Sequence, residues 1–332
     1  MTIRRVITIW WLMLALAGGW QLVGAQTVGQ DKEFHQVYDL AANGTVAVYN
    51  TSGAVRVSSW NENRIKVDAV KRGRNEADFA KVQIEVIARP ERVEIRAVYP
   101  SGFNWRSGGV TVELDVKVPR TSAVSPVNTT SGDITVTGPV ERLTARATSG
   151  NVVAQDVTDA ASLNSTSGDI TAARIGGELR VNATSGTLTI NEASSRVFAQ
   201  TSSGSIRITQ ARDDVTATVN SGDIKLEKIG GRAIVRANSG WIVVNDVGGD
   251  VQATSYTDDI TVSNVRGRAT VSAISGNVIL RGIAEGVKAT AVSGSVSVSD
   301  SKGRIEVGTT SDSITLANLD SSEIVAKTTS GN

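Results

Sequence analysis

The chain has 332 residues, with 34 Lys and Arg against 33 Asp and Glu, one histidine and no cysteine. A formal charge of +1 leaves no electrostatic footprint for nucleic acid, and the lack of Cys excludes disulfides, a lipidated cysteine and a thiol nucleophile. With His35 as the single imidazole, most metal and triad chemistry is excluded too.

Residues 1–25 read as an export signal. Arg4 and Arg5 form a basic start, Val6 to Ala17 an apolar core, and Val23-Gly24-Ala25 a small-residue cleavage site before Gln26. The rival reading is an uncleaved anchor, because Val6 to Val23 is almost long enough to span a bilayer. The short core and the Val-x-Ala ending favour cleavage, which removes two Arg and no acid and takes the formal charge from +1 to −1. No later stretch is apolar enough to cross. The expected location is therefore periplasmic, cell-surface or secreted, with membrane contact only through an uncleaved signal.

Residues 26–125 are β-rich without a regular period. Thr45–Asn50, Ala54–Ser58, Arg64–Lys71, Val82–Ala88, Arg92–Val98 and Val110–Val118 read as strands, and Asn75–Ala80 as one helical turn. We expect a β-sandwich-like cap that covers the exposed edge of whatever follows. Ser52-Gly53 resembles a stray member of the later repeats, and Pro119 and Pro126 bracket the passage into them.

Residues 126–332 repeat every eighteen residues. Ser-Gly stands at Ser131-Gly132, Ser149-Gly150, Ser167-Gly168, Ser185-Gly186, Ser203-Gly204, Ser221-Gly222 and Ser239-Gly240. It lapses to Thr257-Asp258, resumes at Ser275-Gly276 and Ser293-Gly294, and degenerates to Ser311-Asp312. Eighteen residues also make five helical turns, but the Gly in each unit, the Thr, Val and Ile content and the alternation are strand signals. In Ser221–Asn238, Ile224 and Leu226 alternate inward, Ile229 plugs a turn at Gly230-Gly231, and Ala233, Val235 and Ala237 point inward on a second strand. The predicted fold is all-β, a parallel β-helix of about eleven 18-residue rungs with an N-terminal β-rich cap.

The columns hold down the stack. Ile134, Val152, Ile170, Leu188, Ile206, Ile224, Ile242, Ile260, Val278, Val296 and Ile314 share one position, all branched aliphatics. An Ala-rich column (Ala145, Leu163, Val181, Ala199, Ala217, Val235) faces it, suiting a thin core. Burying one Ile or Leu is worth about 1.5–3 kcal/mol, against roughly 1–2 kcal/mol per residue of backbone ordering, so one rung cannot stand alone. Glu178, Arg196, Asp214, Arg232, Asp250 and Arg268 alternate in sign at one position and predict a charged ladder along an edge. At the other corner Gly supplies positive φ, and Asp133, Asp169 and Asp223 serve turn amides. The spacing of a calcium nonapeptide is absent, so no metal and no cofactor is expected. The sequence stops at Ser330-Gly331-Asn332, one residue into a would-be strand; we expect further rungs rather than an open edge.

Left-handed hexapeptide acyltransferases share the eighteen-residue coil, but here the position six beyond the Ile column holds Val140, Thr158, Gly176, Ser194, Arg212 and Gly230, so the hexad is broken. Pectinase-like chemistry would need paired carboxylates. Asp213-Asp214 and Asp258-Asp259 exist, yet adjacent strand residues face opposite ways and uniform rungs build no cleft. We expect no enzyme and no catalytic residue; a polysaccharide-active β-helix enzyme and a purely structural protein remain the alternatives. The outward columns carry Thr, Asn, Ser, Gln, Lys and Arg, a surface fit for many weak bonds to a carbohydrate or cell-envelope polymer. Trp241, at a corner, and Tyr256, beside the lapse, are the candidate ligand-binding residues, with Phe198 a third and the loop Ser101–Gly109 (Phe103, Trp105) a further contact. Their alternative role is to cover a local defect.

Val118-Pro119, the repeated T-S-G-D-I-T of Thr130–Thr135 and Thr166–Thr171, and N-G-T-V-A-V-Y-N-T-S-G of Asn43–Gly53 resemble bacterial adhesin-like domains of unknown function. The resemblance spans roughly residues 40–332 and rests on turn and core signals. It implies an exported parallel β-solenoid without accepted catalytic residues, some members being associated with envelope stress.

Overall fold

A unit with one apolar face per strand must stack to bury that face. In the computed structural model, which describes residues 26–28, 32–74, 76–101 and 109–331, stacking produces an all-β parallel solenoid. Its strands form two sheets, of 16 and 15 strands, so the coil is two-sided. Each rung gives one strand to each sheet: Ile224–Ile229 to one, then Ala233–Ser239 to the other. Pairing is parallel and in strict register, Ile224 beside Ile242 and Ala233 beside Val251.

The inward residues are those the alternation marks. Ile224, Leu226, Ile229, Ala233, Val235 and Ala237 are all buried, and one apolar core runs from Phe34 to Val307. The Ile column is buried from Ile134 to Val296, while Ile314, on the last strand of its sheet, is half-buried. Near the Ser-Gly corner some rungs place a hydroxyl inward, where Ser165 and Thr309 donate to the carbonyls of Gly150 and Gly294 at 3.1 and 2.9 Å. Those bonds settle polar groups that burial would otherwise penalise.

From Asp156 onward, one feature of the rungs escapes the alternation. Asp156, Arg174, Glu192, Gln210, Lys228, Asp246, Asn264, Asp300 and Asn318 have φ between 51 and 66°, and Gly282 continues the column at 68°. A left-handed residue here lets two successive side chains, such as Glu227 and Lys228, face outward before Ile229 turns in. For non-Gly residues that geometry costs roughly 1–2 kcal/mol, tolerated because it closes the core at the corner.

The N-terminal strands extend the same two sheets. Thr45–Ser52 pairs in parallel with Ala123–Ser131, Val55–Trp60 with Ile134–Val140, and Ser52-Gly53 is the first corner of the stack. Beyond it the pairing turns antiparallel, Gln83–Arg89 against Arg92–Val98 and Glu33–Asp39 against Arg64–Arg72. The helical turn is a 3-10 helix at Glu76–Lys81. The strand Glu33–Asp39 has no clear sequence signal, because as an edge it buries only Phe34 fully, half-buries Tyr38 and leaves the others, Val37 among them, exposed. Residues 1–25 and the loop 102–108, with the candidate contacts Phe103 and Trp105, lie outside the described residues.

Candidate functional site

The two edges of the rod differ in chemistry. At the Ser-Gly edge, Gly132, Gly150, Gly168, Gly186, Gly204, Gly222 and Gly240 have φ of 121–151°, and a Cβ on any of them would overlap the carbonyl of the corner before it. Stacking as well as φ therefore demands glycine. The Asp or Asn that follows caps the next rung rather than its own turn: Asp133 accepts the Asn151 amide at 2.8 Å, Asn151 that of Asp169 at 2.9 Å, and Asp169 that of Thr187 at 2.7 Å.

At the opposite edge the alternating charges do stack. The carbonyls of Arg196, Asp214, Arg232, Asp250 and Arg268 each accept an amide of the preceding rung, placing all of them in one row. Glu178–Arg196 at 3.1 Å and Arg232–Asp250 at 3.9 Å form ion pairs. Asp214 and Asp250 turn oxygens to the amides of Arg232 and Arg268 at 2.7 and 2.9 Å, so the ladder is part salt bridge and part cap.

The carboxylate pairs are committed to the backbone. Asp213 accepts from the Asp214 amide at 2.8 Å, and Asp259 from the Asn277 amide at 2.7 Å. Asp258 accepts from the Gly240 amide at 2.8 Å and from the Thr257 hydroxyl at 2.7 Å; those two bonds, the hydroxyl first, hold its pKa below the usual carboxylate value. Each of these three carboxylates thus spends an oxygen on a corner amide. Among the described residues no group of three acids or His could hold a metal.

The lapse at Thr257-Asp258 is thus repaired by a side chain. Its strand, Val251–Ser255, is shorter than its neighbours, and Gly276 stacks against Asp258 instead of a glycine. Trp241 and Tyr256 flank this corner, 41% and 52% exposed. Trp241 fills the capping position between Asp223 and Asp259, its amide taken by Asp223 at 3.1 Å. Tyr256 lies in the outward row that continues with Ile274 and Val292, 43% and 48% exposed. An aromatic search passes over those two aliphatics, although reading every eighteenth residue from Tyr256 finds both. Phe198 stands apart: it is half-buried, three strands away in the same sheet, and the Arg180 guanidinium covers its ring at 4.5 Å.

The result is an exposed apolar stripe, Tyr256–Ile274–Val292, beside Trp241 on a corner otherwise built from Gly, Ser, Thr, Asn and Asp. Residues 101–233 match the family model described as Toastrack DUF4097. This stretch is similar to a Toastrack domain. The match covers the first half of the regular rungs; the eighteen-residue register continues beyond it to Ser311, and the last pairing, Ser311 beside Ser330, takes one extra residue. No curated protein matches the chain. Among solved structures, a candidate adhesin from Parabacteroides distasonis is 13% identical, with a TM-score of 0.39 over 76% of this chain and 98% of its own. A candidate adhesin from Bacteroides fragilis is 12% identical, with a TM-score of 0.25 over 90% and 98%. A candidate lipid binding protein from Parabacteroides distasonis is 13% identical, with a TM-score of 0.29 over 88% and 98%. Neither the identities nor the scores bear on what this chain binds.

Proposed function

We propose that the chain is an exported, non-enzymatic, adhesin-like scaffold that binds a polymer of the cell surface or envelope. The observation that carries this reading is the exposed stripe of Tyr256, Ile274 and Val292 with Trp241 at the same corner. Side chains repeating at one strand spacing, about 4.8 Å, suit a linear polymer laid along the rod, bound by many weak contacts rather than in one deep pocket. Commitment of the Asp213-Asp214 and Asp258-Asp259 carboxylates to backbone amides supports a non-enzymatic role. The basic start, apolar core and Val-Gly-Ala ending of residues 1–25 support export. The test is a pull-down of the chain on insoluble cell-wall and surface polysaccharides, with Trp241→Ala and Ile274→Ser beside the parent. Retention that both substitutions reduce supports the reading; retention of neither parent nor variants on any polymer removes it.

A further inference from the structure

A second, chemically different site lies on the outer face of the larger sheet, where the N-terminal strands meet the regular rungs. An open hollow of about 340 Å³ is lined there by Tyr49, Thr51, Asn128, Thr130, Arg146 and Thr148. That volume is at the lower end of small-ligand sites, roughly 300–1,000 Å³. Register builds it: Arg96 is beside Tyr49, Tyr49 beside Asn128, and Asn128 beside Arg146, one outward row crossing four neighbouring strands. A parallel row sets Thr51, Thr130 and Thr148 side by side, one position beyond the Asn50, Thr129 and Ala147 pairing. The strand Ala123–Ser131 has one extra residue relative to both neighbours, between Val124 and Val127. Such bulges re-aim the side chains after them; here Asn128 and Thr130 are brought into the hollow.

The charges in this hollow are unequal. Arg96 is bonded to Glu94 and its guanidinium stacks over the Tyr49 ring at 5.0 Å, which fixes the ring and neutralises that cation. Arg146 is exposed and, among the described residues, has no carboxylate partner. The hollow therefore offers one uncompensated guanidinium among hydroxyls, a carboxamide and a braced phenol. A guanidinium presents a planar fork that takes a carboxylate through two parallel bonds. The surrounding Thr and Asn groups donate to and accept from neutral hydroxyls. A ligand matching both is a sugar bearing a carboxylate.

The rows also give the ligand a direction. Past Arg146 they continue as Asn164 and Asn182, joined by a 3.3 Å bond, and as Thr166 and Thr184. We propose that this hollow binds one uronic-acid unit of an acidic polysaccharide, with Arg146 on the carboxylate and Tyr49, Asn128 and Thr130 on the ring, the chain running on over the Asn–Thr rows. The site is independent of the Trp241–Tyr256 corner, on different rungs and with different chemistry.

The experiment is a calorimetric titration of the chain with a short uronic-acid oligosaccharide and with a neutral oligosaccharide of equal length, repeated for Arg146→Ala, Arg146→Lys, Tyr49→Ala and Trp241→Ala. Each of these side chains is at least partly exposed, so a thermal melt checks that folding is kept. Expected are binding of the acidic ligand that weakens with salt, at least tenfold weaker binding of the neutral ligand, and a tenfold or greater loss in Arg146→Ala that Lys only partly restores. Trp241→Ala should leave this binding unchanged. Failure of the acidic ligand to bind, equal binding of the neutral one, or indifference to Arg146→Ala overturns the proposal. Loss in Trp241→Ala with Arg146→Ala unaffected moves the ligand to the corner stripe, overturning this site while sparing the scaffold reading.

Discussion

The carboxylate of Asp133 accepts the backbone amide of Asn151, eighteen residues on and one rung along, at 2.8 Å. The same side chain-to-amide step recurs from Asn151 to Asp169, from Asp169 to Thr187 and from Asp259 to Asn277. What reads in sequence as local turn chemistry is therefore a clamp between rungs.

Removing one clamp should be measurable. Asp169→Ala deprives the Thr187 amide of its acceptor at an exposed corner where water replaces part of the bond, a loss of about 0.5–1.5 kcal/mol. Asp169→Asn keeps an acceptor and should cost less than half as much. Urea unfolding of the two variants checks this, and equal losses would show that the amide bond is not what the side chain contributes.

The corner glycines allow a sharper contrast. Gly186 has φ of 138°, and a Cβ there would overlap the Gly168 carbonyl, whereas the nearest atom to a Cβ on Gly308 is the Lys327 carbonyl oxygen at 3.7 Å. Gly186→Ala should cost more than about 2 kcal/mol through strain and overlap, and Gly308→Ala should be near neutral. Thermal melts of both variants test the pair.

The left-handed column predicts stabilisation instead. Lys228 has φ of 57° with no side-chain bond among the described residues to offset the strain, so Lys228→Gly should stabilise by about 0.5–1 kcal/mol after the entropy cost of glycine. Arg174 has φ of 56° but holds Asp156 through two bonds, at 2.6 and 2.8 Å. Arg174→Gly should therefore gain less than Lys228→Gly. Denaturation midpoints rank the two.

These contrasts mark what is legible in the sequence. Ser-Gly spacing and the Ile224, Val235 and Ala237 alternation display the rung, its core and its parallel stacking, because period and burial follow from side-chain type. The left-handed position is only partly legible: Asp156, Asp246, Asn264, Gly282, Asp300 and Asn318 are types that tolerate positive φ, but Arg174, Glu192, Gln210 and Lys228 interrupt that signal, and only the need to bring Ile175 or Ile229 inward puts them there. Trp241 and Tyr256 stand out as large exposed rings, whereas Ile274 and Val292 look like core residues until the rung phase assigns them outward. The hollow at Tyr49 and Arg146 joins residues from strands whose register only the fold supplies.

The single histidine gives a clean pH probe. The His35 ring is bonded to Asp68 at 2.7 Å and to Glu33 at 3.4 Å, and these bonds, Asp68 first, raise its pKa above the ordinary 6.5. A raised folded-state pKa means that the contribution is fully present below about 6.5 and fades as pH rises through the folded value. An NMR titration of the imidazole should show a midpoint above 6.5 that Asp68→Asn lowers, and hydrogen exchange in Glu33–Asp39 should quicken from pH 6 to pH 8 beyond its intrinsic pH dependence. A midpoint at or below 6.5 would contradict the bonded geometry.

The central claim is that the exposed stripe at the irregular corner is a binding surface. It is tested most directly by measuring the affinity of the chain for the envelope or surface polysaccharide that retains it, against an Ile274→Ser/Val292→Ser double substitution of equal thermal stability. The account predicts a loss of about tenfold or more, with the change in Trp241 fluorescence on binding reduced in parallel. Unchanged affinity in the double variant would contradict it.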